Sequence, residues 1–187
     1  RKDPTIVEDA AGVIYMGGAV DIPGNSSPSA EFNWYYDPEG IKVCLNSEWK
    51  DQLIVPNDIA EAVFYTKEEY DRIAEKQGNE ISKLIVEGQA GRFEKDPNAS
   101  SFVWDAITAA VWLKPEIATD IQERYVDVDT NYGPNYGRVV SWWTSRNRDV
   151  EKGEGMPYGV QKCDVLFDID REAFWDFYVD ILTTEVE

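Results

Sequence analysis

The sequence predicts an α/β protein with an open, mostly parallel sheet and helices on its faces. Short apolar segments that suit buried strands alternate along the chain with longer segments that suit amphipathic helices. Polar turns follow the first two predicted strands, at the end where open parallel sheets place their ligands. The 187 residues are enough for one domain with a substantial core, and the hydrophobic content of 43% argues against disorder.

The first part of the chain shows this alternation clearly. A helix is expected from Asp3 to Ala11, and buried strands are expected over residues 13–16 and 52–55. Asp37 suits a helix N-cap, with Pro38 at the first helical position, where its missing N–H costs nothing. We therefore expect a helix to begin between the two strands.

The middle of the chain is predicted to be helical. Thr66 and Glu69 have the spacing of a capping box, and the helix that they begin is expected to end at Gly78. The next helix is expected to loosen over residues 88–91, which include two glycines, and to break at residues 96–97.

The last third returns to strands and closes with a helix. Strands are expected over residues 138–143 and 160–169, and Asp170 suits the N-cap of the final helix. The inward face of that helix is predicted to carry Phe174, Phe177, Tyr178 and Ile181.

The strongest functional signal is a polar loop at residues 24–33, just past the first predicted strand. It contains Asn25, Glu31 and Asn33. The two carboxamides offer donors and acceptors, and the carboxylate accepts from hydroxyls, so the set suits a neutral ligand such as a sugar. A phosphate is disfavoured, because Glu31 would repel it and no glycine-rich nest with a lysine is nearby. The alternative is a turn whose side chains bond their own backbone, and the spacing leaves both open.

Composition excludes several kinds of site. The sequence has no histidine, which removes serine–histidine–aspartate triads, histidine-ligated zinc and a histidine general acid from this chain. The net charge of -18 disfavours nucleic-acid backbones and anionic membranes as partners. Cys44 and Cys163 are too few for a zinc cluster, and we expect buried free thiols.

Several motifs together resemble the central signature of the nucleoside hydrolase family, of the inosine-uridine preferring or purine nucleosidase type. They are Met16-Gly17-Gly18-Ala19, Gly24-Asn25, Ala30-Glu31-Phe32-Asn33 and Asp37-Pro38-Glu39. Downstream, Trp104-Asp105-Ala106 resembles the late calcium-binding aspartate of that family with the leaving-group position before it. Weaker similarity is found in Val55-Pro56-Asn57-Asp58 and in residues 133–140.

The resemblance implies an activity and a set of sugar-binding residues. The expected activity is calcium-dependent hydrolysis of the N-glycosidic bond of ribonucleosides to free base and ribose. Met16 would pack beneath the sugar ring, and the other substrate-binding residues would be Asn25, Glu31, Phe32 and Asn33.

The same resemblance gives roles to Trp104 and Asp105. Asp105 would be a Ca²⁺ ligand, and Trp104 would stack on the leaving base. Family members that accept pyrimidine nucleosides typically carry a histidine at this position, so the tryptophan predicts a preference for purine nucleosides. Without the resemblance, the pair would be interpreted as a core aromatic beside a helix N-cap.

One departure from the family is as informative as the match. The family opens with an aspartate-rich DxDxGxDD-type loop that supplies the catalytic base and most metal ligands, and this sequence has no such loop. The chain begins at Arg1 in a predicted helix that lies midway along family members. We therefore expect residues 1–187 to form the C-terminal half of a single nucleoside hydrolase domain, with no internal boundary.

On this interpretation the partners are the ribonucleoside and an N-terminal half, cleaved or separately encoded, without which the chain would be inactive. A noncatalytic nucleoside- or sugar-binding module and a structural acidic domain are the alternatives. The edges of an open sheet also permit self-association.

Overall fold

The computed structural model describes residues 3–143 and 158–185. Its strands are β1 (Val13–Met16), β2 (Gln52–Val55), β3 (Phe64–Tyr65), β4 (Ser101–Phe102), β5 (Ala118–Val128), β6 (Val139–Trp143) and β7 (Gln161–Ile169). Its helices are α1 (Ile6–Asp9), α2 (Phe32–Tyr36), α3 (Pro38–Leu45), α4 (Asn57–Ala60), α5 (Lys67–Lys76), α6 (Glu80–Lys95), α7 (Trp104–Leu113) and α8 (Arg171–Thr183). A short 3-10 helix spans Pro115–Ile117.

Contacts between residues divide the chain into two compact units. The first comprises Arg1–Ile59 and Thr119–Asp168, and the second comprises Ala60–Ala118 and Ile169–Glu187. The expectation of a single half-domain without an internal boundary stays a prediction.

The first unit contains a five-stranded mixed sheet in the order β1-β2-β7-β5-β6. Strand β1 runs parallel to β2, and β2 runs parallel to β7, whereas β5 and β6 are antiparallel. The predicted α/β class, with a mostly parallel sheet and flanking helices, is confirmed. Its core includes Trp34, Leu45, Ile54, Val126 and Val165, all with no exposed surface.

The second unit is mostly helical and includes a short antiparallel pair, β3 and β4. Helix α5 packs against α6 and α8, and α7 packs against α8. Its core includes Ile73, Phe93, Ile107 and Phe174, which are almost fully buried. Within the described parts of the chain, no helix has both the length and the apolar character needed to cross a membrane.

Three helix starts agree with the sequence prediction. The Asp37 carboxylate accepts from the Gly40 N–H at 2.9 Å, and the Asp170 carboxylate accepts from the Ala173 N–H at 3.0 Å. Thr66 and Glu69 form the predicted capping box. These contacts are local, which explains why the sequence reveals them.

Helices α1 and α6 differ from the prediction, whereas α5 agrees with it. Helix α1 is a single turn. Helix α5 ends at Lys76 with Gln77 as its C-cap, so Gly78 follows directly, where a terminating glycine is expected. The Thr183 carbonyl lies where a side chain at Gly78 would be, which explains the glycine there. Helix α6 does not loosen but continues through both glycines, since each costs a helix only about 1 kcal/mol relative to alanine.

The final helix α8 and strand β5 also depart from expectation. In α8 the residues Phe174, Trp175 and Val179 are buried, and Ile181 is 47% exposed, so the predicted inward face was wrong at that residue. Strand β5 was not predicted, because its first half is mostly exposed and carries several charged residues.

The predicted free thiols are found, with Cys163 buried and Cys44 partly buried. Burial raises the pKa of Cys163 to about 12.

A buried arginine fixes the loop that follows β1. The Arg124 side chain lies between the rings of Trp143 and Phe167, with its guanidinium carbon 3.9 and 4.4 Å from their centroids. Its two terminal nitrogens donate to the two carboxylate oxygens of Asp21, at 3.0 and 2.7 Å. A bidentate pair of this kind is the strong form of an ion pair. Arg124 therefore ties the loop to the middle of β5.

We predict that Asp21→Asn lowers the free energy of unfolding by about 1–2 kcal/mol, because it leaves the buried Arg124 charge without its counterion. Urea unfolding measures the change. Asp9→Asn, at an exposed carboxylate on α1, is the matched control and should have an unchanged midpoint. Equal midpoints for the two variants would contradict the role given to Arg124.

Candidate functional site

The carboxyl end of β1 is built around two glycines with positive φ angles. Gly17 has φ 142° and Gly18 has φ 84°, a region of backbone conformation that favours glycine. A Cβ at Gly17 would lie 2.7 Å from the Trp34 ring and 2.8 Å from a carboxylate oxygen of Glu31. Any side chain at this position would therefore displace the Trp34 or Glu31 side chain.

Glu31 joins the end of β1 to the start of α2. Its Oε2 accepts from the backbone N–H groups of Gly18 at 2.9 Å and Trp34 at 3.2 Å, and its Oε1 accepts from Asn33 N–H at 2.9 Å. The side chain is almost fully buried. Its carboxylate thus acts first as a structural cap, and its predicted contact with a sugar hydroxyl stays a prediction.

Asn25 and Asn33 are exposed on the same loop. The Asn25 Oδ1 accepts from the Phe32 N–H at 2.9 Å. The Asn33 Nδ2 donates to the carbonyl of Met16 at 3.3 Å and lies 3.4 Å from its sulfur. The structure therefore brings together all five residues that were predicted to bind the sugar: Met16, Asn25, Glu31, Phe32 and Asn33.

The alternative interpretation of the loop is also partly correct. The Ser27 hydroxyl accepts from the backbone N–H groups of Ala30 at 3.0 Å and Ser29 at 3.3 Å, as in a turn that bonds its own backbone. A Cβ at Gly24 would lie 2.2 Å from the Ala30 carbonyl oxygen, so the two ends of this turn are in close contact. Internal bonding gives the loop a fixed shape, and its two asparagines stay at the surface.

Asp58, on α4 shortly after β2, supports the segment that follows β1. Its carboxylate accepts from the N–H groups of Val20 at 2.9 Å and Asp21 at 2.8 Å. Burial raises the pKa of Asp58 above its ordinary value, and the two backbone hydrogen bonds act in the opposite direction. The signals in the sequence were the polar pair Asn57-Asp58 shortly after a buried strand and the weaker family similarity of residues 55–58.

The second unit carries Trp104 and Asp105 on the first turn of α7, and both side chains are exposed. Trp104 is 40% exposed and its ring contacts Phe102 at a centroid distance of 5.4 Å. The N-cap of the helix is Val103, without a side-chain cap, so the interpretation as a core aromatic beside an Asp N-cap does not hold. A cavity of about 360 Å³ is lined by both residues together with Gln89 and Tyr178.

Asp105 has no partners for a complete metal site among the residues described. Over 3–143 and 158–185, no group of three or more histidine, cysteine, aspartate or glutamate side chains could hold a metal ion. Calcium takes six to eight oxygen ligands, so a single exposed carboxylate does not hold it. These residues alone do not form a calcium site.

An α/β sheet with sugar-compatible polar groups at the carboxyl end of a strand, here β1, is typical of proteins that bind small polar molecules. Residues 1–176 match the inosine-uridine preferring nucleoside hydrolase family, and the chain belongs to that family. This confirms the family that the motifs predicted.

Two curated relatives agree with the family, and both are named as pyrimidine-specific enzymes. The chain is 32% identical over 149 residues to the pyrimidine-specific ribonucleoside hydrolase RihB of Escherichia coli O17:K52:H18, covering 75% of this chain and 45% of that protein. It is 32% identical over 143 residues to a putative RihB of Shigella boydii serotype 4, covering 75% of this chain and 58% of that protein.

Solved structures show the same fold. A plant nucleoside hydrolase, PpNRh1, has a TM-score of 0.80 at 22% identity, covering 98% of this chain and 57% of that one. An inosine-guanosine nucleoside hydrolase has a TM-score of 0.76 at 26% identity, covering 92% of this chain and 51% of that one. The chain spans about half the length of the relatives it matches.

We predict that Glu31→Gln lowers the free energy of unfolding by about 1–3 kcal/mol, because an amide NH₂ would replace an oxygen that faces backbone N–H groups. Urea unfolding measures the loss. Glu8→Gln, an exposed change of the same kind on α1, should leave the midpoint unchanged. If Glu31→Gln behaves like Glu8→Gln, the carboxylate is not the structural cap described above.

Proposed function

We propose that this chain carries the sugar-recognition part of an enzyme that hydrolyses the N-glycosidic bond of ribonucleosides. One observation carries the proposal: two exposed carboxamides, Asn25 and Asn33, and the thioether of Met16 lie together at the carboxyl end of β1. The family supports the reaction class. The loop supports recognition of the sugar part of the substrate, since carboxamides both donate to and accept from hydroxyl groups.

Each group has its own role in this proposal. Asn33 and Asn25 are both exposed, and on this proposal their side-chain amides bond ribose hydroxyls. Met16, next to Asn33, gives the ring an apolar surface, which suits the carbon face of a sugar. Glu31 acts mainly by holding Asn33 in place through the bond that its Oε1 accepts, and the same oxygen is proposed to accept from a ribose hydroxyl.

The catalytic base is proposed to come from a further polypeptide segment with the aspartate-rich loop of the family. The lack of a DxDxGxDD-type loop in residues 1–187 supports this, because that loop supplies the base in the family. Asp105 is the residue of this chain proposed as a Ca²⁺ ligand. The described residues do not bring together enough oxygen ligands for a complete calcium site. On this proposal the chain alone binds ribonucleosides and does not hydrolyse them.

A noncatalytic ribonucleoside-binding module is the second candidate, and the lack of a group of metal-binding side chains in the described ranges favours it. Release of free base distinguishes the two. The chain is incubated with inosine, with and without CaCl₂ and an N-terminal fragment of a nucleoside hydrolase, and hypoxanthine is measured by chromatography. Base release only with the fragment supports the enzyme, and binding without release in every mixture supports the binding module. Release by the chain alone would contradict the need for a second segment.

We predict that Asn33→Ala weakens inosine binding by about 1–3 kcal/mol in free energy, because a hydroxyl of the bound sugar loses its partner. Calorimetric titration measures the dissociation constant. Asn98→Ala, at an exposed asparagine of the second unit, should bind inosine as the unchanged chain does. Equal affinity in the two variants would mean that the loop does not hold the sugar, and no binding by the unchanged chain would contradict the proposed function.

The preference for purine bases is proposed from Trp104. Its exposed indole borders the cavity of about 360 Å³, and an indole is large enough to stack on a purine. The named relatives include both pyrimidine-specific and inosine-guanosine enzymes, so the family alone does not decide the base.

We predict that Trp104→Leu weakens inosine binding by about fivefold or more and uridine binding less, because base stacking contributes about 1–3 kcal/mol. Trp112→Leu on the same helix is the matched control, since Trp112 is 47% exposed and lies outside that cavity. Calorimetric titration with both nucleosides gives the ratio. Equal losses for inosine and uridine would contradict purine selection by this residue.

A further inference from the structure

Five aromatic side chains form one connected cluster on the first unit, here called the aromatic cluster. Its members are Phe32, Tyr35, Tyr36, Tyr132 and Tyr136, and the ring centroids in contact lie 4.5, 6.1, 6.0 and 5.8 Å apart. The Tyr132 side chain is 96% exposed and that of Tyr36 is 71% exposed. Contiguous exposed aromatic surface of this kind is typical of binding sites.

The aromatic cluster has a defined geometry because two segments pack together to form it. The Ser29 hydroxyl donates to the Pro134 carbonyl at 2.8 Å, which joins the polar loop at residues 24–33 to residues 129–138. Gly137 has φ 80°, and a Cβ there would lie 2.8 Å from the Tyr35 Cα. Residues 129–138 thus contact the backbone of α2 directly, which brings Tyr136 against Tyr35.

A cavity of about 360 Å³ adjoins the cluster, and acceptors line it. Glu39 and Asn46 are among its lining residues, and the Tyr136 hydroxyl donates to Glu39 Oε2 at 2.8 Å. The Asn46 Oδ1 is buried and has no hydrogen-bond partner within the described ranges. A buried acceptor without a donor is costly, so this atom favours a donor from water or from a ligand.

Lys42 also lines the cavity, but it does not balance the excess of acceptors because its amine is already bonded to other groups. The Lys42 amine donates to both carboxylate oxygens of Asp127, at 2.8 and 2.6 Å, and to the Val128 carbonyl at 3.4 Å. Residues 25–39 and 129–138 carry four carboxylates and one arginine, Arg138. The local field is negative, and the pKa of Tyr136 is accordingly raised, first by its hydrogen bond to Glu39.

We propose that the aromatic cluster and this cavity bind arginine side chains of a protein partner. A guanidinium group is planar, stacks on tyrosine rings and presents five N–H donors, which suits the Glu39 carboxylate and the Asn46 carbonyl oxygen. A lysine ammonium has three donors and no planar face, so it matches the site less well. The surface does not depend on ribonucleoside hydrolysis.

Labelled acetyl-GRGRGR-amide tests the proposal by fluorescence anisotropy at about 0.15 M NaCl, where long-range attraction to the acidic chain is screened. We expect it to bind at least about threefold more tightly than the corresponding lysine peptide, because the guanidinium fork bonds carboxylates bidentately. Equal binding of the two peptides would show attraction to charge alone and overturn the proposal.

Matched variants distinguish binding at this site from general attraction of the peptide to an acidic chain. Glu39→Gln should weaken binding of the arginine peptide about threefold to tenfold, because it removes a charged acceptor. Glu116→Gln, which removes the same charge from an exposed position of the second unit, should change it less than about twofold. An equal loss in the two variants would overturn the site.

The aromatic contribution has its own control. Tyr132→Leu keeps an apolar side chain but loses the π-face, and should weaken binding about twofold to fivefold. Tyr158→Leu alters a fully exposed tyrosine outside the cluster and should have no effect. Both Glu39→Gln and Tyr132→Leu should leave inosine binding unchanged, which keeps this test separate from that of the proposed function. A dimer of the chain that Tyr132→Leu dissociates would assign the surface to a second copy instead.

Discussion

Three backbone N–H groups converge on the Glu31 carboxylate, and the loop region of the first unit depends on that contact. Gly18 belongs to the segment that leaves β1, whereas Asn33 and Trp34 belong to the first turn of α2. One side chain therefore closes the loop between strand and helix. Because the carboxylate is buried, these bonds act in a medium of low polarity, where each is stronger and its loss costs more.

The position of Asn33 follows from this arrangement. The cap fixes its backbone N–H, and its side chain then reaches the Met16 carbonyl at the end of β1. Trp34, one residue further on, points the opposite way and fills the core beneath the two glycines. A single helical turn thus places a polar group at the surface and an aromatic anchor inside, which makes the exposed carboxamide rigid without burying it.

The sequence was informative wherever the deciding contact is local. The caps at Asp37, Thr66 and Asp170 and the strand at 13–16 follow from neighbouring residues, and the motif around Glu31 identified the family. The sequence does not reveal that Arg124 is buried, since its partner Asp21 lies 103 positions away. Strand β5 was missed because its first half is mostly exposed and charged, unlike a buried strand. The aromatic cluster needs two loops to meet, and no pattern within either loop predicts that.

Long-range ion pairs in the first unit fix loops and leave the surface acidic. Arg124 pairs with Asp21 and Lys42 pairs with Asp127, so both cations are neutralised by carboxylates far away in the sequence. The remaining acidic surface belongs to a chain with 36 acidic and 18 basic residues. Such a field repels phosphate groups and is indifferent to uncharged sugars. A ribonucleoside site of the proposed kind would therefore exclude ribonucleotides through charge, without a contact in the loop that excludes the phosphate. The same field would attract the cationic partner proposed for the aromatic cluster, so one charge distribution would favour both proposed ligands.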